Sequence, residues 1–224
     1  MNYFAHALPF LDDPYFAAAT GVPDMLVVVD RSLKVRIKHA RPFVDDHNEI
    51  TAAVAGGICQ HLRDDRRFHK SAAFAQTTLA LTLIFRDALG DTAGLRPRFL
   101  GHLVTELLLD AALIDEDRQT LERYYEVMES VDPQAVQFAV SRIAPRPTER
   151  LAPMISGVCR ERFLWDYLNN AKLTFRVNQI MRRVGLEPVP EIFKQLLPEA
   201  RHMVTQRKNE LLEGIPTNRV LTGL

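Results

Sequence analysis

Histidines and carboxylates recur at helical spacing in two stretches of this 224-residue chain. One reads His61-x-x-x-Asp65-x-x-x-His69, the other His102-x-x-x-Glu106-x-x-x-Asp110. Residues four apart on an α-helix lie one turn on, on nearly the same face. Each stretch can therefore present nitrogen and oxygen donors along one stripe. Two such stripes inside a helical bundle would make a metal cage. Neutral imidazole with carboxylate suits manganese, iron or zinc. A divalent ion held with an open position turns water into a nucleophile near neutral pH. No serine nucleophile elbow, glycine-rich phosphate loop or CxxC pair offers other chemistry, so metal-assisted hydrolysis is the matching reaction class.

The elements that must position these groups read as helices nearly throughout. Ser71 caps a helix to Leu89, with Phe74, Thr78, Leu81 and Phe85 along one side. Pro97 opens the helix that carries His102, faced by Leu100, Leu103, Leu107 and Leu108. Asp117 to Met128 makes a short helix, and Asp132-Pro133 opens another to Ile143. One long helix is expected over Arg160 to Val184, stopped by Gly185, and a last one over Ile192 to Leu212. Met25 to Val29 is the strongest β-like run; it is short, and we assign it to a buried helical turn or an irregular segment. The expected fold is an all-α, single-domain helical bundle over 1–224, subdivided, if at all, near 145–153.

Composition sets the limits. Hydrophobic residues make up 47%, enough for a core, and the formal net charge of zero predicts neither a nucleic-acid nor a membrane partner. Charge is uneven along the chain. Nine acids stand against Arg118 and Arg123 between Gly101 and Gln134, and nine bases against three acids between Arg142 and Arg183. We read these as two solvated faces that attract each other; the sharper reading is a basic stretch that receives a phosphate or an acidic partner. The bases spread over several turns, which argues against a nucleic-acid groove. Two distant cysteines, Cys59 and Cys159, and the lack of a signal-peptide pattern at the N-terminus suit a cytoplasmic protein.

Each candidate has a plainer reading. His6 sits in an apolar segment, where a lone histidine is usually a satisfied, half-buried side chain. Asp24 follows Pro23 and fits a helix cap. Asp64 and Asp65, among Arg63, Arg66 and Arg67, fit a charged surface. His69 is expected beyond the end of its helix, because Ser71 begins the next. His102, Glu106 and Asp110 fit a solvent-facing stripe, with Asp110 its solvated end. His39, His47 and His202 stand among polar residues and read as surface.

The opening Met1-Asn2-Tyr3-Phe4-Ala5-His6 resembles the M-N-F-L-A-H start of the acyl carrier protein phosphodiesterases, helical metal-dependent hydrolases related to the HD-domain phosphohydrolases. Ala19-Thr20-Gly21-Val22-Pro23-Asp24 is similar to their G-N-L-L-A-D block. Gly57 to Asp65, then Phe68-His69, resembles G-I-H-M-H-R-R-I-D followed by T-D, and Gly101 to Leu107 resembles L-D-V-M-W-D-H. The resemblance implies an HD-like fold and a phosphoester or phosphodiester hydrolase. Its metal ligands would be His6, Asp24, His61, Asp65, His102 and Glu106, around one or two divalent ions. Arg63 or Arg66 would stabilise charge on the phosphoryl oxygens. The substrate would be a small phosphorylated compound or an acidic carrier protein. This chain departs from the pattern: Cys59 replaces the first histidine of H-x-H, Leu62 an arginine, His69 the aspartate of T-D, and Leu107 the histidine of D-H. The alternative is therefore a catalytically silent HD-like helical protein that binds a ligand or protein partner.

Overall fold

Thirteen α-helices, joined by short 3-10 turns, account for the regular structure of the described residues, and no strand occurs among them. The computed structural model describes residues 1–90 and 96–215. Contacts divide the chain into two compact units. Among the described residues, the first comprises Met1–Arg67, Arg118–Arg162, Gly214 and Ile215, and the second Phe68–Asp117 and Phe163–Glu213. Residues 145–153, the candidate linker, lie inside the first unit.

The first unit holds α1 (Tyr3–Ala7), α2 (Pro14–Thr20), α3 (Val22–Val29), α4 (Ile37–Ala40) and α5 (Glu49–Lys70) as far as Arg67, with α8 (Arg118–Glu129), α9 (Pro133–Ile143) and α10 (Leu151–Glu161). Asp13 caps α2 by accepting from the Phe16 N–H, and Pro14 occupies the first turn, where its missing N–H costs nothing. The β-like run Met25–Val29 is helical, within α3, and buries Met25 and Leu26 while leaving Val27 exposed. That alternation around a helix, not a strand's period of two, decides its structure. The core collects Phe4, Met25, Leu26, Ile58, Tyr124 and Tyr125, each almost wholly buried. Phe4 meets Tyr124 edge-on at 5.9 Å between ring centroids.

Helix α5 carries adjacent glycines where it meets α2. A methyl group on Gly57 would stand 2.4 Å from the Phe16 carbonyl oxygen and 2.7 Å from the Ala19 Cβ. Only glycine lets the two backbones approach this closely. The contact lies one turn before His61 on α5, and at the end of α2 that carries Thr20.

The second unit holds the last turn of α5, α6 (Ala72–Leu89), α7 (Pro97–Glu116), a 3-10 stretch at Phe163–Leu168, α11 (Asn170–Arg183), α12 (Phe193–Gln206) and α13 (Lys208–Leu211). Helices α6 and α7 pack together, with Gly101 against the Thr78 carbonyl and the Thr82 hydroxyl. Phe68, Phe85, Leu81, Leu100 and Phe193 fill the core. The Ser71 hydroxyl accepts from the Phe74 N–H at 3.1 Å, the cap that its sequence position predicts. Ser71→Ala should cost about 1 kcal/mol, read as a lowered denaturation midpoint in urea at unchanged slope.

Three helix expectations change. The long helix over Arg160–Val184 is interrupted: α10 ends at Glu161, Arg162 turns left-handed at φ 46°, and α11 starts only at Asn170. Asn169 accepts from the Ala171 and Lys172 N–H groups, a local bond that competes with helix continuation. The last helix divides into α12 and α13 at Arg207. Helix α5 extends to Lys70, so His69 belongs to it, and α6 follows with only Ser71 between. Gly185 does stop α11, at φ +75°.

The two charged stretches pair only in part. Arg162 binds Glu122, but Arg142 binds Asp46 at 3.0 Å and Arg146 binds Asp30 at 2.7 Å, acids outside the acidic stretch. Among the described residues, no helix is long and apolar enough to cross a membrane.

Candidate metal centres

His61 and Asp65 stand one turn apart on α5, as their spacing predicts. The His61 Nδ1 lies 2.7 Å from the carbonyl oxygen of Thr20, at the C-terminus of α2. A carbonyl can only accept, so Nδ1 carries the hydrogen and Nε2 keeps its lone pair. That lone pair faces Asp65 Oδ2 at 3.5 Å and Asp24 Oδ1 at 3.8 Å. His61 is buried, and burial, then the nearby His6, lowers its pKa well below the usual imidazole value. It is therefore neutral at pH 7. A neutral nitrogen lone pair aimed at two carboxylate oxygens is unfavourable unless a cation lies between them.

His6 comes from α1 and stacks on His61, with ring centroids 4.1 Å apart. Its Nε2 lies 3.2 Å from Asp65 Oδ1. Its Nδ1 is buried without a hydrogen-bond partner, and Asp64 Oδ2 stands 3.9 Å away, beyond hydrogen-bond reach. Burial works to lower the His6 pKa, but Asp64 and Asp65 outweigh it and the value is raised. Burial likewise works to raise the pKa of Asp65. The His6 hydrogen bond and the neighbouring positive charges prevail and hold it well below the usual carboxylate range. The Met1 ammonium also reaches Asp65 Oδ1, at 2.7 Å. The two oxygens of Asp65 thus differ: Oδ1 meets positive groups, whereas Oδ2 turns to the His61 lone pair.

The donor set fits a divalent cation. Ligand atoms of His6, His61 and Asp65 all lie within 4.8 Å of one another. Tetrahedral ligands at zinc-type bond lengths stand about 3.3 Å apart, close to the 3.5 Å between His61 Nε2 and Asp65 Oδ2. The Thr20 carbonyl supplies the outer hydrogen bond that ligating histidines use to fix tautomer and ring orientation. Both imidazoles are sealed, while the Asp24 and Asp65 side chains are 33% and 27% exposed and form the open side.

The second unit contains a second convergence. His69, from α5, lies with Nε2 at 2.8 Å from Glu106 Oε1, and His102, one turn before Glu106 on α7, at 3.2 Å from the same oxygen. The two imidazoles lie 4.9 Å apart, and Phe74 meets each ring edge-on at 4.9 Å. Burial works to raise the pKa of Glu106, but its hydrogen bonds to His102 and His69 lower it to about 2. The ordinary value is 4.5. A depressed carboxyl stabilises the fold above its unfolded pKa and loses that contribution as pH falls toward its folded one. In the metal-free protein the stability gap between wild type and Glu106→Gln should therefore be largest above about pH 4.5, at up to about 3 kcal/mol. It should shrink between there and about pH 2, measured by urea denaturation across that range.

The six predicted ligands thus fall in two groups: His6, Asp24, His61 and Asp65 in the first unit, His102 and Glu106 in the second, where His69 joins them. Several plainer readings are corrected. His6 is wholly buried, not half-buried, and Asp64 is buried, not a surface charge. Asp110 is fully buried within α7, so it is no solvated helix end. Arg63 and Arg66 are exposed on α5. At 100° per residue they point about 160° and about 100° away from Asp65, so the backbone does not aim them into the cluster. Cys59 is buried in the core, where burial raises its thiol pKa and keeps it protonated. Sequence reasoning missed His69 as a partner of Glu106, although its place four residues after Asp65 signalled it. No family model, no curated protein and no solved structure matches this chain.

Proposed function

We propose that this chain is a metal-dependent hydrolase of phosphoesters or phosphodiesters, and that the His6–Asp24–His61–Asp65 cluster is its centre. One observation carries the reading: the locked, neutral Nε2 of His61 faces two carboxylates in a buried setting. A divalent cation (manganese, iron or zinc) would supply Lewis acidity there and make water nucleophilic near neutral pH. The chain's own part is to balance and orient. Asp24 and Asp65 together match the charge of a dication. His61 gives Nε2, and the Thr20 carbonyl keeps the proton on Nδ1. The half-open carboxylate side admits solvent and a phosphoryl group, whereas the buried imidazole side excludes both. The resemblance of the opening and helical blocks points to the same chemistry, on a small phosphorylated compound or an acidic carrier protein. The buried Cys59, a free thiol, is in keeping with a reducing cytoplasm.

The second reading, a silent helical protein that binds a ligand or partner, has its own support. Asp64 and Asp65 raise the His6 pKa against the effect of burial, which favours a cationic ring within the cluster without any metal. Metal content and hydrolysis of an aryl phosphodiester, in wild type and His61→Ala, separate the two. Near-stoichiometric metal that falls in the variant, with activity, supports the hydrolase. Protein that stays metal-free after dialysis against manganese, iron and zinc sinks it.

A further inference from the structure

We infer that His69, His102 and Glu106 form a solvent-open binding site for a first-row transition-metal dication, with zinc or ferrous iron the best-matched class. The site belongs to the second unit alone, and it stands whether or not the first cluster hydrolyses phosphoesters. Three facts carry it. Two imidazole Nε2 atoms converge on one carboxylate oxygen at 2.8 and 3.2 Å, near the roughly 3.3 Å ligand separation of a tetrahedral zinc site. The three ligand atoms lie within 4.8 Å of one another. Phe74 packs edge-on against both rings, so their orientation is set by packing as well as by Glu106.

Two imidazoles with one carboxylate select the metal. This set suits zinc and iron, whereas magnesium and calcium ask for oxygen donors alone. Three protein ligands leave at least one coordination position to solvent or a small ligand. The exposure lies on the imidazole side, with His69 33% and His102 44% exposed and Glu106 only 16%. An entering ion displaces the protons that Nε2 donates to Glu106, and each imidazole then carries its hydrogen on Nδ1. The carboxylate that receives two N–H donors in the ion-free protein becomes the third ligand.

Cobalt(II) is the probe, because its visible absorption reports nitrogen coordination and its titration gives stoichiometry. The full chain is titrated as wild type, H61Q, H69Q/H102Q, and all three changes together. His69 and His102 are partly exposed, so the double variant should keep its circular dichroism and melting profile. Expected are one equivalent lost in H69Q/H102Q, one equivalent retained in H61Q, and loss of that remaining equivalent and its absorption band in the triple variant. Zinc should compete the cobalt off, and millimolar magnesium should not. Equal stoichiometry, affinity and spectrum in wild type and H69Q/H102Q would overturn the proposal. So would an H61Q protein whose cobalt survives the two added changes. Should the double variant fail to fold, E106Q carries the same comparison, since glutamine keeps the volume and removes the anionic ligand.

Discussion

Under the proposed hydrolase reading, His61→Ala should abolish metal binding at the first cluster and reduce phosphodiester hydrolysis by more than about 100-fold, since outer-sphere partners alone are worth about 10–100-fold. The reasoning begins with the tautomer. Nδ1 is committed to the Thr20 carbonyl, so Nε2 is available only as a lone pair. Alanine removes the one neutral nitrogen that faces both Asp24 and Asp65. The measurement is metal per chain by atomic absorption, together with steady-state hydrolysis of an aryl phosphodiester. His61→Ala with wild-type metal content and rate would remove the first cluster from the mechanism. Alanine leaves a cavity beside His6, so His61→Gln, which keeps more of the volume, is measured in parallel with urea denaturation of both variants.

Gly57→Ala should destabilise the protein by up to about 2 kcal/mol. It should also weaken metal binding at the first cluster, although Gly57 touches no ligand. The added methyl would meet a backbone oxygen at 2.4 Å and the Ala19 Cβ at 2.7 Å, and neither can rotate away. Overpacking of this kind costs about 1–3 kcal/mol, against roughly 1 kcal/mol gained from helix propensity. Relief requires α5 and α2 to separate. Thr20 follows Ala19 directly, and His61 lies one turn beyond Gly57, so separation lengthens the 2.7 Å bond between them. Metal affinity should fall about 10-fold or more, as for a lost outer-sphere partner. Gly157→Ala on α10 is the control: nothing lies within 4 Å of its added methyl, and it should stabilise slightly. Urea denaturation of both variants, with metal titration of the first, checks the pair. Similar stabilisation of both variants, as helix propensity alone would give, would disprove the steric account.

The sequence reading succeeded where local chemistry dictates structure. Ser71, Asp132 and Pro97 mark helix starts, and each is found there because a hydroxyl, a carboxylate or a proline ring satisfies the first turn whatever the surroundings. It failed at Arg162–Asn169, where Phe163 and Tyr167 continue an apolar helical rhythm that masks the local Asn169 cap. A left-handed arginine carries no signal of its own, as glycine would. At the centres, the spacing of His61 and Asp65 was legible because one helix carries both. His6 and Asp24 were not legible from spacing, since they arrive from α1 and α3; resemblance supplied them. Asp64 and Asp110 were misjudged for one reason. Charged residues default to solvent unless a partner is known, and partners distant in sequence cannot be read from it.

The hydrogen bond that sets the His61 tautomer ends on a main-chain oxygen. No point mutation at position 20 deletes that atom. The Thr20 side chain acts on the imidazole only through the end of α2, where its buried hydroxyl donates to the Ala17 carbonyl at 2.7 Å. Selection on this contact must act on where α2 stops and how near it lies to α5. Its heritable determinants are Ala19 and Gly57, two positions whose merit is the side-chain bulk they lack.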